Sequence, residues 1–483
     1  MMNYRLSPRA GSVAAAAILG AFAGAAHHHD TASGPRRLDA LVGARARGRP
    51  VAPPAVTGAP LRRDGDFWTD HDADEPFHLG TAISTDAAGR VHVAGLSTSA
   101  DRPGLRATVA RLLPDGAYAW SRTCTGSGAL SEPHITVGPE GAVAVALTLQ
   151  GQLDCGAGPI AAAGGDEDFD AVVLRLDSTG RLLWLRSLSD IGPQIVASVA
   201  FDPWGGVVLA GSFEGTIDLG GSPLTAESER DVLLARLDPD GDLVWQKRFG
   251  TTGHNFGVDV DVAPSGRIAL LARSDAGLDL GTGELTCPRP STFVAGFDLA
   301  GHPIWSRKLS GTGEVLASDL AVLQADRVVV TGAFTGDADL GTGILRSAGG
   351  SDIFVVKLGP SGEAVWSSRF GDQAEQAAFQ ITGGPGGRVA LTGRFDGHLD
   401  FGQGPLRSQG GDLFVAKLAA TGHPLWSLRT ADPSLSAGLA ITMDAAGQVL
   451  ATGPTPETPT FPSPPSALAP VTAADLFAAR LGP

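Results

Sequence analysis

Trp120, Trp184, Trp245, Trp305, Trp366 and Trp426 follow one another at intervals of 64, 61, 60, 61 and 60 residues. A constant period of this size means one supersecondary unit copied along the chain, each copy too small to bury its apolar residues alone. Whatever this chain folds into must therefore be a stack of similar units, with neighbours covering one another.

The copy that ends at Trp426 shows the parts. Phe379-Gln380-Ile381-Thr382 is a short apolar stretch that stops at the turn Gly383-Gly384-Pro385-Gly386-Gly387. Val389-Ala390-Leu391-Thr392-Gly393 follows, then a long glycine-rich connection through Asp400-Phe401-Gly402-Gln403-Gly404. Asp412-Leu413-Phe414-Val415-Ala416-Lys417-Leu418 comes next, and a turn at Thr421-Gly422 leads into Pro424-Leu425-Trp426-Ser427. Each run is four to seven residues long, β-branched or aromatic, and bounded by Gly, Pro, Asp or Ser, which is the pattern of strands and too short for helices. Runs such as Val328-Val329-Val330 are apolar on both alternating faces, so each sheet must be covered on both sides. Four-stranded antiparallel sheets covered in this way stack radially, which predicts an all-β propeller.

The ends fix the expected count. From Trp245 to Gly266, Trp366 to Gly387 and Trp426 to Gly447 is 21 residues, and the same step from Trp68 lands on Gly89. Trp68 is thus a seventh member with no third strand before it. At the other end Asp475-Leu476-Phe477-Ala478-Ala479-Arg480-Leu481 is a third strand with no tryptophan strand after it. The strand around Asp66-Phe67-Trp68 is expected to complete that last blade, giving seven blades over residues 64–483 and no exposed sheet edge at the seam.

The pattern Asp-x-Phe-x-x-Lys-Leu-x-x-x-Gly-x-x-x-Trp, best carried by Asp352 to Trp366 and Asp412 to Trp426, resembles the SBBP beta-propeller repeat of secreted bacterial proteins. The likeness runs from residue 64 to the end, with Arg106 and Thr292 standing where the leading Asp belongs. It implies a seven-bladed extracellular propeller. No general reaction belongs to that family, so it lends no catalytic residues.

Residues 1–26 read as an export signal: Arg5 and Arg9 precede an apolar run from Val13 to Ala23, and Ala23-Gly24-Ala25-Ala26 offers small residues for cleavage. The run is too short to span a bilayer, and no later segment is apolar enough to do so. The protein is expected in the periplasm, outside the cell or on its surface. Residues 27–63 form a linker with seven arginines against two aspartates and little to bury. The whole chain carries −15, so the repeats are strongly acidic, which argues against nucleic acid as a partner. Three cysteines, Cys124, Cys155 and Cys287, leave at least one unpaired within the chain. Cys124 and Cys155 occupy repeat positions held elsewhere by Phe249 and Leu219, consistent with a link between neighbouring blades or with two buried thiols.

Features shared by most copies read as architecture. Asp154, Asp218, Asp279, Asp339 and Asp400 each precede glycines, a calcium-like pattern that a tight turn also demands. The leading Asp170, Asp231, Asp352, Asp412 and Asp475 are expected to cap turns, and the tryptophans to pack. Features that break the repeat are the functional candidates. Asp70, Asp72, Asp74 and Glu75 alternate in one loop and suit calcium, the one cofactor the sequence suggests. On the innermost strands, Asp259 and Asp261 share a face, and the first of these positions is held by His134, Ser198, Asp319 and Gln380 in other copies. These side chains either converge on a central channel as a ligand site or meet water. The connection between second and third strands is shortened from Leu96 to Leu105 and proline-rich from Pro454 to Pro465. No nucleophile elbow, zinc-protease helix or phosphate loop occurs. The expected function is a secreted, monomeric, non-enzymatic scaffold that binds a protein or glycan. The alternative is a calcium- or metal-dependent hydrolase or lyase on the same framework.

Overall fold

Short β-branched runs fenced by turn residues form strands throughout, and no α-helix occurs among the described residues. The computed structural model describes residues 62–64, 67–69, 77–98, 105–113, 118–131, 133–163, 169–188, 190, 192–408, 410–429, 440–455 and 475–481. All belong to one compact unit, residues 59–483. The export signal 1–26, the linker up to residue 61, Asp70, Asp72, Asp74, Glu75 and the prolines from 456 to 465 lie outside the described residues.

The fold is propeller-like, a succession of antiparallel sheets. Among the described residues seven sheets have four or more strands. They are numbered here by their first strands: Phe77–Thr85, His134–Val137, Gln194–Phe201, Asn255–Val262, Val315–Leu323, Gln376–Gly383 and Ala440–Met443. Sheet 6 is representative. Gln376–Gly383 pairs with Val389–Phe395, which pairs with Asp412–Leu418, which pairs with Pro424–Arg429, and Lys417 lies opposite Trp426. In sheet 7, Asp475–Leu481 pairs on one side with Val449–Thr455 and on the other with Phe67–Thr69, placing Trp68 opposite Ala478. The N-terminal strand thus supplies the position left empty at the C-terminus.

Second and third strands are buried on both faces; every residue of Val207–Phe213 and Asp352–Leu358 is buried. The first strand of each sheet lies against that of the next, and Phe77–Thr85 also lies against Ala440–Met443 and Val449–Thr455. Between the second and third strands the sequence suggested only a glycine-rich connection. There the chain forms small hairpins, such as Asp337–Asp339 with Ile344–Arg346 and His398–Leu399 with Leu406–Arg407.

The repeated tryptophans latch each sheet to the next. Trp120 Nε1 donates to Ser178 O (3.0 Å), Trp184 to Pro239 O (2.9 Å), Trp245 to Leu299 O (2.9 Å) and Trp366 to Ala420 O (3.1 Å). Each acceptor lies in the hairpin turn between the third and fourth strands of the following sheet. The glycine of that turn lies on the indole: a Cβ at Gly180, which has φ +82°, would meet Trp120 at 2.6 Å. Trp184 is buried and the other five are half-buried. The basic residue of the repeat joins the same latch. Lys357 Nζ donates to Ala420 O at 3.0 Å and Arg111 Nη1 to Ser178 O at 2.9 Å, the carbonyls that Trp366 and Trp120 also hold. One turn carbonyl accepting both explains why Lys and Trp recur together.

The leading Asp170, Asp231, Asp352 and Asp412 of the third strands are buried, and the first three cap turns, while the Asp475 side chain lies outside the described residues. Asp170 accepts from Ala163 N at 2.5 Å, Asp231 from Glu227 N at 2.8 Å and Asp352 from Ala348 N at 2.5 Å. Three also pair with an arginine three residues after the tryptophan: Arg248 with Asp231 (2.7 Å), Arg369 with Asp352 (3.1 Å) and Arg429 with Asp412 (2.8 Å). Where Thr292 replaces the aspartate, its hydroxyl donates to Val315 O and accepts from Ala317 N in the next sheet.

Candidate functional site

The first strand is the free inner edge of each sheet, so its backbone N–H groups need partners from outside the sheet. The candidate residues of the inner strands supply them. Asp259 Oδ2 accepts from Leu320 N of the next sheet at 2.9 Å, and Oδ1 from Val260 N at 2.8 Å. Asp319 repeats this one sheet on, accepting from Ile381 N at 2.6 Å and Leu320 N at 3.0 Å. Gln380 Oε1 accepts from Ile441 N at 3.0 Å. Asp261, one pleat along, accepts from Val322 N and Val262 N, both at 2.7 Å. Ser198 Oγ donates to Val260 O at 3.3 Å. A stair of polar side chains therefore ties sheets 3 to 7 along their inner edges.

A β-bulge makes this possible. In sheets 3, 4, 5 and 6 the register slips at Val196/Ser198, Gly257/Asp259, Ala317/Asp319 and Ala378/Gln380. The extra residue turns the following side chain toward the neighbouring sheet.

The electrostatics of this layer are unusual. Burial lifts Asp319 well above the ordinary carboxylate range, and Asp259 beside it adds like-charge repulsion and a carboxyl–carboxyl hydrogen bond, against the pull of the Ile381 and Leu320 amides. Burial pushes Asp261 up to about 6, opposed by the Val322 amide. His134 is accessible to solvent but enclosed by the surrounding strands. That enclosure holds its pKa below the usual histidine value, with Asp259 pulling the other way. The structure thus brings Asp259, Asp319 and His134 into electrostatic contact, places Asp261 one step beneath, and sets Gln380 at the next sheet as a tie.

The other candidates resolve separately. The repeated Asp-x-Gly residues serve turns. Asp154 accepts from Gly156 N (2.7 Å), Asp279 from Gly281 N (2.7 Å) and Gly283 N (3.0 Å), and Asp400 from Gly402 N (2.6 Å). Among the described residues no three His, Cys, Asp or Glu side chains gather as metal ligands. The calcium candidates Asp70, Asp72, Asp74 and Glu75 lie outside those residues. Cys124 and Cys155 form a disulfide, and Cys287 is a free thiol. No described helix is long and apolar enough to cross a membrane.

The bonds from inner side chains to the neighbouring backbone went unread in the sequence. Their signal was present: a hydrogen-bonding residue recurs at one position of the edge strand, where unpaired amides require it.

No protein-family profile matches the chain. It is 20% identical over 359 residues to an uncharacterized WD repeat-containing protein of Acanthamoeba polyphaga mimivirus, covering 59% of this chain and about a quarter (26%) of that protein. Among solved structures it is similar to a protein of unknown function from Dyadobacter fermentans, with TM-score 0.36, 11% identity, 87% of this chain and 96% of that one. It is also similar to an alpha-L-arabinofuranosidase from Fusarium graminearum, with TM-score 0.37, 7% identity, 67% of this chain and 89% of that one.

Proposed function

We propose that this protein is an exported, non-enzymatic, seven-bladed propeller of the SBBP type that acts as a rigid scaffold for binding a protein or glycan. The pairing of Phe67–Thr69 with the C-terminal strand, and the packing of Phe77–Thr85 against sheet 7, support seven blades closed into a ring. One observation carries the non-enzymatic reading: both oxygens of Asp259, Asp261 and Asp319 accept backbone N–H groups, so these carboxyls are engaged in holding sheets together.

A metal-dependent hydrolase or lyase is the second reading, favoured by the Asp259–Asp319 pair, where burial and the neighbouring carboxyl lift Asp319 well above the ordinary carboxylate range. A thermal-shift series with EDTA, calcium, magnesium, manganese and zinc separates the two. The scaffold reading expects no ion to raise the melting point by way of the inner strands, and Asp259→Asn with Asp319→Asn to fold with reduced stability, since each amide oxygen keeps one N–H bond while its NH2 faces the other. A metal-specific rise lost in that double variant would overturn it. A rise lost instead in Asp72→Asn with Asp74→Asn would place calcium in the acidic loop. Electron-microscopy class averages with a blade count other than seven would refute the proposed ring.

A further inference from the structure

Sheet 2 differs from the others along its outer strand, Leu182–Leu188. The residue after the repeated tryptophan is polar in the other copies, as Ser121, Gln246, Ser306, Ser367 and Ser427, but here it is Leu185. The residue before the tryptophan, Leu183, is 42% exposed. Leu183 is the extra residue of a β-bulge between Leu182 and Trp184, and both it and Leu185 line one groove. That groove has a volume of about 560 Å³ and is lined as well by Pro159 and Ile160, from the hairpin of Gln152–Asp154 with Pro159–Ala161, and by Arg122 and Arg181.

The groove combines aliphatic and cationic lining residues. Leu183, Leu185 and Ile160 supply the aliphatic part and Arg122 and Arg181 the positive charge, in a chain of net charge −15. Arg122, on the outer strand of sheet 1, is held rigidly: Nε donates to Gly180 O at 2.8 Å and Nη1 to Cys155 O at 2.7 Å. Two of its five N–H donors are used in this way, leaving the others for a ligand. Gly156, at φ +89°, keeps the approach open, since a Cβ there would stand 3.1 Å from Arg122 Nη1. Arg181 is exposed, with Nε 3.1 Å from Asp177. The Cys124–Cys155 disulfide fixes the hairpin against sheet 1 immediately beside Arg122, so the walls of the groove are covalently joined.

We propose that this groove between sheets 1 and 2 binds a small amphipathic acid, a carboxylate on an aliphatic chain. The carboxylate meets the guanidinium of Arg122 or Arg181, and the chain lies along Leu183, Leu185 and Ile160. Guanidinium offers paired donors matched to a carboxylate. The volume lies within the range of small-ligand sites, which are mostly apolar with a few placed polar groups. The proposal does not depend on how the inner carboxyls function.

The test is a calorimetric titration of the full chain with decanoate, and with decanol as the uncharged control. Saturable decanoate binding is expected, with decanol weaker. Leu185→Ser restores the residue found at this position in four other copies, so it folds, and it should weaken both ligands about tenfold through lost apolar contact. Arg181→Gln alters an exposed side chain and should weaken decanoate while leaving decanol unchanged. Arg122→Gln should do the same, with circular dichroism confirming the fold. Absence of saturable decanoate binding overturns the proposal, and so does binding indifferent to Leu185→Ser. Equal binding of decanol and decanoate, with neither arginine variant having an effect, would refute the recognition of an acid.

Discussion

Sheets 5 and 6 keep to the repeat, whereas sheets 1 and 2 depart from it at several positions, and the contacts are the same in both places. The fourth residue after the tryptophan meets the residue after the hairpin aspartate of the next sheet. Between sheets 5 and 6 these are Phe370 and Phe401, with rings 4.6 Å apart. Between sheets 1 and 2 they are Cys124 and Cys155, covalently bonded. On the second strands, Val329 of sheet 5 is buried among aliphatic residues. His92 stands at its counterpart in sheet 1, fully buried and 6.0 Å from the Trp120 ring. On the outer strands, Ser367 of sheet 5 corresponds to Leu185 of sheet 2. Geometry fixes which positions touch, and any chemistry that closes the contact is tolerated. Two of these departures, the Cys124–Cys155 bond and Leu185, lie beside the groove between sheets 1 and 2.

Breaking the aromatic contact should have the largest effect. Phe401 is buried against Phe370 and Phe414, and Phe401→Ala should cost about 4 kcal/mol through lost transfer energy and the cavity left behind. Urea unfolding measures it, and a midpoint near wild type would mean that the interface collapses around the gap.

The covalent counterpart should come close behind. Cys155→Ser removes a bridge spanning 31 residues, worth about 3.7 kcal/mol from loop entropy. Reductant should destabilise the wild type by the same amount and leave Cys155→Ser unmoved. Equal midpoints with and without reductant would mean the bond contributes nothing to stability.

His92 sharpens the comparison through pH. Burial holds its pKa down to about 4, with Asp86 opposing and Arg111 assisting. Above the unfolded value of about 6.5 the ring is neutral in both states, so it adds no pH dependence there. As pH falls from about 6.5 to about 4, the unfolded chain takes up a proton that the folded chain refuses, and stability drops by up to about 3 kcal/mol. Asp261 works the other way: its folded pKa of about 6 lies above the ordinary aspartate value, so the folded state protonates first and gains as pH falls through that window. His92→Val installs the residue of sheet 5. Its advantage over wild type should widen as pH is lowered through the His92 window, and a pH-independent difference in urea midpoint would refute the account.

Much of this framework was legible in the sequence. The tryptophan period, the 21-residue step to the next glycine and the unfinished C-terminal strand located the repeats and the partner of Phe67–Thr69. The period reports which positions correspond but not which ones meet, because each contact joins different positions in successive copies. Hence the Cys124–Cys155 bond stayed open between two readings until the hairpin was seen lying on the preceding sheet. Asp259 and Asp319 were found as candidates because they break the apolar pattern. Their bonds to Leu320 N and Ile381 N were not, because that requires knowing which strand edge faces inward. Nothing in the sequence singles out Arg248, Arg369 and Arg429, and only the fold sets them against buried aspartates.

The smallest expected effect tests whether the two regions share one latch. Lys357→Met removes the donor to Ala420 O while keeping an apolar stem of similar length, and Arg111→Met does the same for Ser178 O. In each case the carbonyl keeps its bond from the indole, Trp366 or Trp120, so no acceptor is left bare. Burial already holds the Lys357 amine below its ordinary pKa, a cost that the substitution relieves. Each variant should therefore lose about 1 kcal/mol or less, the net worth of one hydrogen bond. Equal losses would show that the latch works alike beside a disulfide and beside an aromatic contact. A markedly smaller loss for Arg111→Met would mean that the covalent bond between sheets 1 and 2 already holds what the latch holds elsewhere.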